Sequence, residues 1–225
     1  MKHHLLTTLL LVSCMVTAQA KTAYRSARTT QKNMTTTKFG TKLGPTSYFI
    51  SHKNYDKNKI QDYIVTRLHA NIFGEYQISE QLGTQLNLAY TQKGNKEQAE
   101  TFDLSEIKIQ TNYLLVATTL RYYPGSDKQF CLHGGSYAAY LIAAELIATI
   151  GDTKTQKIDL KQPKYKLNNL DFGLVIGLDY EFDMGLIVGL DYQIGLRNVA
   201  DREGLKNKNR GTEFNVGYNF AKLMQ

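Results

Sequence analysis

Three features of the 225-residue chain predict an all-β fold, an eight-stranded antiparallel up-and-down transmembrane β-barrel. They are a strict apolar–polar alternation, the make-up of its polar face, and connectors that alternate long and short. The alternation is plainest from Asn169 to Phe220. Leu170, Phe172, Leu174, Ile176, Leu178, Tyr180 and Phe182 fall on every second position, with Asp171, Gly173, Val175, Gly177, Asp179 and Glu181 between them. After Asp183-Met184 it resumes, with Leu186, Val188, Leu190, Tyr192, Ile194 and Leu196 against Ile187, Gly189, Asp191, Gln193, Gly195 and Arg197. A third run sets Thr212, Phe214, Val216, Tyr218 and Phe220 against Glu213, Asn215, Gly217 and Asn219. A period of two means that successive side chains point to opposite faces of a sheet. A soluble sheet turns its apolar face to a core and its polar face to water. Here the polar face mixes glycine with Asp, Glu, Arg and Asn, and the apolar face ends in aromatics. That combination fits a lipid-facing exterior with aromatic girdles around a narrow polar interior.

Taken from its start, the chain reads as exported. Lys2, His3 and His4 form a basic n-region, Leu5 to Val12 an apolar h-region, and Ala18-Gln19-Ala20 a small-residue cleavage site, so residues 1–20 are expected to be a cleaved signal peptide. The competing reading is a lipoprotein box at Leu11-Val12-Ser13-Cys14, with acylation at Cys14. Residues 21–37 are rich in Thr, Lys and Arg and show no period, as expected of a flexible periplasmic lead-in. Residues 38–225 then form the barrel domain.

The runs expected to be strands are 38–50, 64–78, 82–93, 107–123, 129–150, 166–182, 185–197 and 211–220. Most reach the nine to eleven residues that a tilted membrane strand requires. The stretch Tyr137 to Ile150 (YAAYLIAAELIATI) is ambiguous between helix and strand, and its neighbours favour strand. Connectors 51–63, 94–106, 151–165 and 198–210 are long, whereas 79–81, 124–128 and 183–184 are short. Outer-membrane barrels sort their connectors in this way, with short turns on the periplasmic side and long loops outside. A chain that starts inside puts every long loop outside. The strands must also close into a cylinder, because an open sheet edge in lipid leaves peptide groups without partners.

Alternation places Arg67, His69, Glu75, Gln85, Asn87, Arg121, Asp171, Asp179, Glu181, Asp191, Arg197 and Glu213 inside. An eight-stranded barrel is only wide enough for side chains. Both signs of charge are present, so a paired polar plug is expected rather than an ion path. The formal net charge is +7, from 27 Lys and Arg against 20 Asp and Glu. Loss of Lys2 with the leader would make it +6. No nucleic-acid reader motif accompanies that surplus. Instead Lys53, Lys57 and Lys59 in the first long loop and Arg202, Lys206, Lys208 and Arg210 in the last form a basic loop patch. Outside the cell it would lie near lipopolysaccharide phosphates.

Catalysis has thin support. Hydrolysis by a nucleophile needs a base within reach and a third group to orient it. Beyond the leader the histidines are His52, His69 and His133, and the best pair is His133 with Ser136. Residues three apart on a strand face opposite sides. Cys131 reads as a small apolar filler. No metal cluster, phosphate-cradling glycine loop or other cofactor site stands out.

Several segments together carry a family resemblance. They are Phe39-Gly40-Thr41-Lys42-Leu43-Gly44, Ile72-Phe73-Gly74-Glu75-Tyr76, the run from Leu86 to Gly94, Asn112-Tyr113-Leu114 with Arg121-Tyr122-Tyr123, Gly134-Gly135-Ser136-Tyr137-Ala138-Ala139-Tyr140, and the hairpin from Asp171 to Phe182. In their order and spacing, from about Phe39 to Phe220, the chain resembles the PorT-like outer-membrane β-barrel family common in Bacteroidetes. The resemblance implies an outer-membrane barrel. Its name-giving member is linked to protein secretion. Such barrels often end on an aromatic residue read by the barrel-assembly machinery, whereas here five residues follow Phe220. The expected function is therefore a non-enzymatic structural or interaction role in the envelope, as an accessory to secretion or assembly. Its expected partners are outer-membrane lipid, lipopolysaccharide and an envelope protein. The alternatives are an adhesin-like barrel acting through its four long loops and, third, a lipid A-modifying hydrolase.

Overall fold

A computed structural model describes residues 37–53, 62–63, 65–97, 104–150, 154–162, 167–200 and 206–224. The expected leader and the lead-in as far as residue 36 lie outside them. Ten strands follow in order: β1 (Thr37–Lys53), β2 (Asp62–Tyr63), β3 (Val65–Gln77), β4 (Leu82–Glu97), β5 (Leu104–Tyr122), β6 (Phe130–Ile150), β7 (Lys154–Asp159), β8 (Leu170–Glu181), β9 (Leu186–Gly195) and β10 (Lys206–Asn219). Eight of them close a ring through β1–β3, β3–β4, β4–β5, β5–β6, β6–β8, β8–β9, β9–β10 and β10–β1, every pair antiparallel. The fold is a closed eight-stranded antiparallel barrel. Strands β2 and β7 are short additions paired to β4 and β6.

The inside–outside phase follows the alternation. In β8, Asp171, Gly173, Val175 and Asp179 are buried while Phe172, Leu174, Ile176 and Leu178 are exposed. Leu43, Leu68, Ile72, Leu86 and Leu120 extend the exposed apolar surface to β1, β3, β4 and β5. Each of these is more than half exposed, an arrangement that only lipid makes favourable. Aromatics mark the edges of this belt. Phe39, Tyr76, Tyr122, Phe130, Tyr180 and Phe182 circle the end with the short turns, and Tyr90, Tyr140 and Phe172 stand toward the other. Along β6 the ten steps from Phe130 to Tyr140, at about 3.3 Å each and tilted by about 40°, rise about 25 Å, the height of a membrane band.

The turn end is compact. Ile78 N donates to Leu82 O at 2.8 Å, and the Gln77 side chain donates to Ser79 O at 2.7 Å. Phe182 N donates to Leu186 O at 2.8 Å across a hairpin completed by Gly185 at φ 90°. The chain leaves β10 in a 3-10 turn, Phe220–Met224, whose Phe220 ring lies 6.1 Å from that of Phe39.

The other end differs from expectation. Much of the expected long loops is strand. β1 runs on to Lys53, β4 to Glu97 and β10 back to Lys206, and β7 lies within the third connector. Alternation in lipid could not reveal these extensions, because in sequence Ser51–Lys53, Gly94–Glu97 and Lys206–Arg210 carry no apolar–polar alternation. The ambiguity of Tyr137 to Ile150 also has a physical cause. Tyr113 pairs with Leu141 but Asn112 pairs with Ala143, so Ile142 is an extra residue in β6. The bulge shifts the buried positions from Tyr137, Ala139 and Leu141 to Ala144 and Ala148, which breaks the period of two.

An arginine at Leu174, in the middle of the exposed face of β8, is expected to destabilise the barrel in bilayers by about 2–4 kcal/mol, and a lysine at Thr212, near the belt edge, by about 0–1 kcal/mol. Reversible urea unfolding in lipid vesicles measures both. Equal costs would contradict the depth assignment.

Candidate functional site

The lumen is where chemistry concentrates, and it is built in layers. At the turn end Lys38 Nζ meets Glu181 Oε2 at 2.7 Å, and Asn219 Nδ2 donates to Glu181 Oε1 at 2.9 Å. The next layer centres on Asp179, 1 % exposed. Its Oδ2 accepts from Lys42 Nζ at 2.6 Å and from Arg121 Nη2 at 2.8 Å. Arg121 also reaches Glu75 Oε2 at 3.0 Å, the Tyr123 hydroxyl at 3.1 Å and Gln85 Oε1 at 2.5 Å. Tyr123 in turn donates to Glu75.

Above this layer His133 Nε2 lies 2.7 Å from Asp191 Oδ1, Asn215 Nδ2 donates to Asp191 Oδ2 at 3.0 Å, and His69 Nε2 lies 2.6 Å from Asn215 Oδ1. Glu213 Oε1 accepts from the Tyr48 hydroxyl at 2.6 Å and from Thr91 at 2.9 Å. Lys93, fully buried, closes the column. Its ammonium lies 4.8, 5.2 and 4.8 Å from the ring centres of Tyr48, Tyr113 and Tyr137 and 3.4 Å from Asp171 Oδ2, which also accepts from Asn209 Nδ2 at 2.9 Å. Three ring faces and a carboxylate take the place of water around that charge.

Carboxylates outnumber the fixed cations in this column by two. Four fixed cations (Lys38, Lys42, Lys93 and Arg121) face six carboxylates (Glu75, Asp171, Asp179, Glu181, Asp191 and Glu213). The two without a fixed cation, Asp191 and Glu213, take bonds from His133 and from neutral hydroxyls. A buried charge is tolerable only when paired and hydrogen-bonded.

A repeated tetrapeptide positions the central carboxylates. Gly177-Leu178-Asp179-Tyr180 in β8 recurs as Gly189-Leu190-Asp191-Tyr192 in β9. The antiparallel register sets Gly177 opposite Asp191 and Asp179 opposite Gly189. Each carboxylate therefore folds over a partner with no side chain. A Cβ on Gly189 would stand 1.9 Å from Asp179 Oδ1, and one on Gly177 would stand 2.1 Å from Asp191 Oδ1 and 2.6 Å from His133 Nε2.

Of the residues the sequence placed inside, His69, Glu75, Gln85, Arg121, Asp171, Asp179 and Glu213 are buried, and Glu181 and Asp191 are largely so. Asn87 lines a central cavity of about 30 Å³ with Thr119, His133 and Gln193. That is room for one or two waters. Arg67 stands higher and donates to Gln110 Oε1 at 2.8 Å. Arg197 lies past the last residue of β9, outside this column, where it donates to Asn168 Oδ1 at 3.1 Å. Lys38, Lys42, Lys93 and the tyrosines at 48, 113, 123 and 137 were missed. Lysine reads as surface and tyrosine as rim, and only the register shows them facing acids.

The basic patch is corrected in kind. Lys53, Lys206, Lys208 and Arg210 are strand residues, on β1 and β10, rather than loop residues. Lys57, Lys59 and Arg202 lie outside the described residues. Ser136 is exposed on the outer face whereas His133 is buried, so the two do not meet. No group of three or more His, Cys, Asp or Glu among the described residues could hold a metal ion.

Comparison with known proteins bears on this geometry. The model of a family described as outer membrane protein beta-barrel domain matches residues 19–201. The chain belongs to that family. The family places it in the outer membrane, as the lipid-facing belt requires. Solved structures similar to it include Ail, the attachment invasion locus protein of Yersinia pestis, in complex with the heparin analogue sucrose octasulfate (12 % identity, TM-score 0.45, covering 82 % of this chain and 99 % of that one). OprG of Pseudomonas aeruginosa (12 %, TM-score 0.42, 84 % and 98 %) and outer membrane protein W of E. coli (14 %, TM-score 0.37, 81 % and 97 %) are others. No curated protein matches.

Gly189→Ala and Gly177→Ala are each expected to cost about 1–3 kcal/mol by displacing a buried carboxylate. Gly74→Ala, on the outer face with nothing near its Cβ position, should be close to neutral. Urea midpoints in bilayers test the contrast, and three equal values would contradict the reciprocal fit.

Proposed function

We propose that this outer-membrane barrel is a non-enzymatic scaffold whose sealed lumen holds the cylinder rigid and whose extramembrane strands do the binding, as an accessory to secretion or assembly in the envelope. The observation that supports this most is the lumen itself. Two salt-bridged layers, around Asp179 and around Lys93, lie on either side of a cavity that fits one or two waters. A channel needs a wetted path, and a hydrolase needs a nucleophile open to its substrate. Here the imidazoles of His133 and His69 are held by Asp191 and Asn215.

In this reading the turn end faces the periplasm and the end with β2, β7 and the extensions of β1, β4, β5, β6 and β10 faces out. The secretion role rests on the resemblance of the segments between Phe39 and Phe220 to PorT-like barrels. Residues 1–20 act as a cleaved leader, and β10 with Phe220 serves recognition by the barrel-assembly machinery. A second reading, adhesion, draws on the outer extensions, since β4, β5, β6 and β7 pair beyond the belt.

A deletion strain separates the readings. Loss of secreted proteins from the medium supports the accessory role, loss of surface attachment supports adhesion, and an altered lipid A mass spectrum would contradict both. In planar bilayers the purified barrel is expected to show no steady conductance above the lipid baseline. Asp179→Ala, which leaves Lys42 and Arg121 without their shared carboxylate, is expected to produce intermittent openings. A wild-type protein with stable open-channel current would contradict the sealed-lumen reading.

A further inference from the structure

Chain ends usually fray unless something ties them down, and the 3-10 turn after β10, Phe220–Met224, is tied down on three sides. Asn219 fixes its entry. The Asn219 backbone N donates to Gly185 O at 2.9 Å, its Nδ2 donates to Glu181 Oε1 at 2.9 Å, and its Oδ1 accepts from Ala221 N at 3.1 Å. Ala221 is buried. Lys222 lies over Gly185, where a Cβ would stand 3.1 Å from both its Cβ and its Cγ. The Phe220 ring lies 6.1 Å from that of Phe39 and 5.8 Å from that of Tyr218. β1, β10 and the β8–β9 hairpin therefore all hold the turn at the rim.

The geometry of the turn decides which way its side chains face. Phe214 and Val216 are exposed on the outer wall, and alternation continues that stripe through Tyr218 to Phe220. A 3-10 helix has three residues per turn, so side chains three apart eclipse one another. Leu223 therefore stands on the side of Phe220, one turn further on. Met224 stands on the side of Ala221, which lines the barrel mouth with Lys38, Asp183 and Lys222. At about 2 Å per residue, Leu223 is about 6 Å beyond Phe220. The headgroup layer on each side of the hydrocarbon is about 5–7 Å deep. Leu223 is thus placed within that layer.

Leu223 is 70 % exposed, more than any leucine of the lipid belt. A single exposed leucine is ordinary on a protein surface. This one ends an apolar stripe that already faces lipid, and it does so on a turn whose position is fixed. Charge does not interrupt the stripe at Phe214, Val216, Tyr218, Phe220 or Leu223. The nearest charge in sequence, Lys222, lines the mouth with Asp127 and Asp183.

We propose that the C-terminal 3-10 turn is an interfacial anchor, with Leu223 inserted in the headgroup layer of the bilayer at the turn end, where it holds the β1–β10 seam at a fixed depth. The occupant of this surface is lipid rather than a soluble partner, because the stripe runs unbroken from the belt to Leu223. The site rests on the lipid belt alone, and not on which end of the barrel faces out of the cell.

The chain contains no tryptophan, so a single introduced one reports its own depth. The full chain carrying Leu223→Trp, Met224→Trp, Leu174→Trp or Lys157→Trp is folded into nanodiscs of phosphatidylcholine brominated either near the headgroup or near the chain ends. A heat-modifiable gel band shows that each variant is folded. Leu174 in the belt and the exposed Lys157 on β7 set the lipid-buried and water-exposed limits. Leu223→Trp is expected to emit to the blue of Lys157→Trp and to lose most intensity to the bromine near the headgroup, whereas Leu174→Trp loses most to the deeper bromine. Met224→Trp should stay near the Lys157→Trp limit, which also controls for the affinity of tryptophan itself for membrane interfaces. Emission and quenching of Leu223→Trp that match Lys157→Trp overturn the anchor, because the turn would then face solvent or a soluble partner. Equal quenching at positions 223 and 224 also overturns it, because the turn would then present no selected face to lipid.

Discussion

Hydrocarbon offers peptide groups no hydrogen-bonding partner, so every N–H and C=O that crosses it must be satisfied by another strand. The pairing of β1 with β10 makes this achievable here. It joins the first strand to the last across twelve paired positions and leaves no edge in the belt. Once the ring is closed, alternation has only one meaning. One face of every strand meets lipid, and the other meets seven strands across a space too narrow for anything but side chains. The exposed Leu, Ile and Phe positions and the buried Lys, Asp and Glu positions are two consequences of one closure. Residues far apart in sequence then meet. Lys42 and Asp179, 137 positions apart, are brought to 2.6 Å.

Charges held in a narrow cylinder need partners placed within hydrogen-bond reach. The β8–β9 hairpin meets the spatial demand with a short internal repeat, in which each Gly-Leu-Asp-Tyr supplies the glycine that admits the other's aspartate. Midway along β4 to β6 the inner positions include small side chains. Ala89, Leu115, Ala117 and Ala139 on β4 to β6 leave the width that the long Lys and Arg side chains of β1 and β5 occupy. The small space left among these side chains is what the proposed scaffold role draws on.

How much of this was legible in the sequence depended on whether lipid or other protein faced the residue. The belt was legible, because lipid imposes a strict rule on alternate positions, as from Leu170 to Phe182. So were the short turns at Asp183-Met184 and Pro124-Gly125, which must reverse the chain in a few residues. The polar inner positions of β8, β9 and β10 followed from the same phase. The cations that complete the lumen were not legible. Lys42 and Lys93 look like surface residues until the register places Asp179 and Asp171 beside them. Buried tyrosines such as Tyr137 resemble girdle aromatics until their hydroxyls find acids. The Ile142 bulge hid the period of β6. Above the belt, where water meets both faces, the charged strands around Lys53 and Lys208 read as loop.

The central claim is a closed, detergent-resistant cylinder, and its most direct test is mobility on a denaturing gel. Outer-membrane fractions are loaded with and without boiling. Unboiled protein should run as a compact, faster band that shifts to full apparent mass on heating, because the ring of strands survives detergent until heat opens it. A protein recovered in the soluble periplasmic fraction with one mobility under both conditions would contradict the account, and Leu174, Val188 and Val216 would then belong to a soluble core rather than to a lipid face.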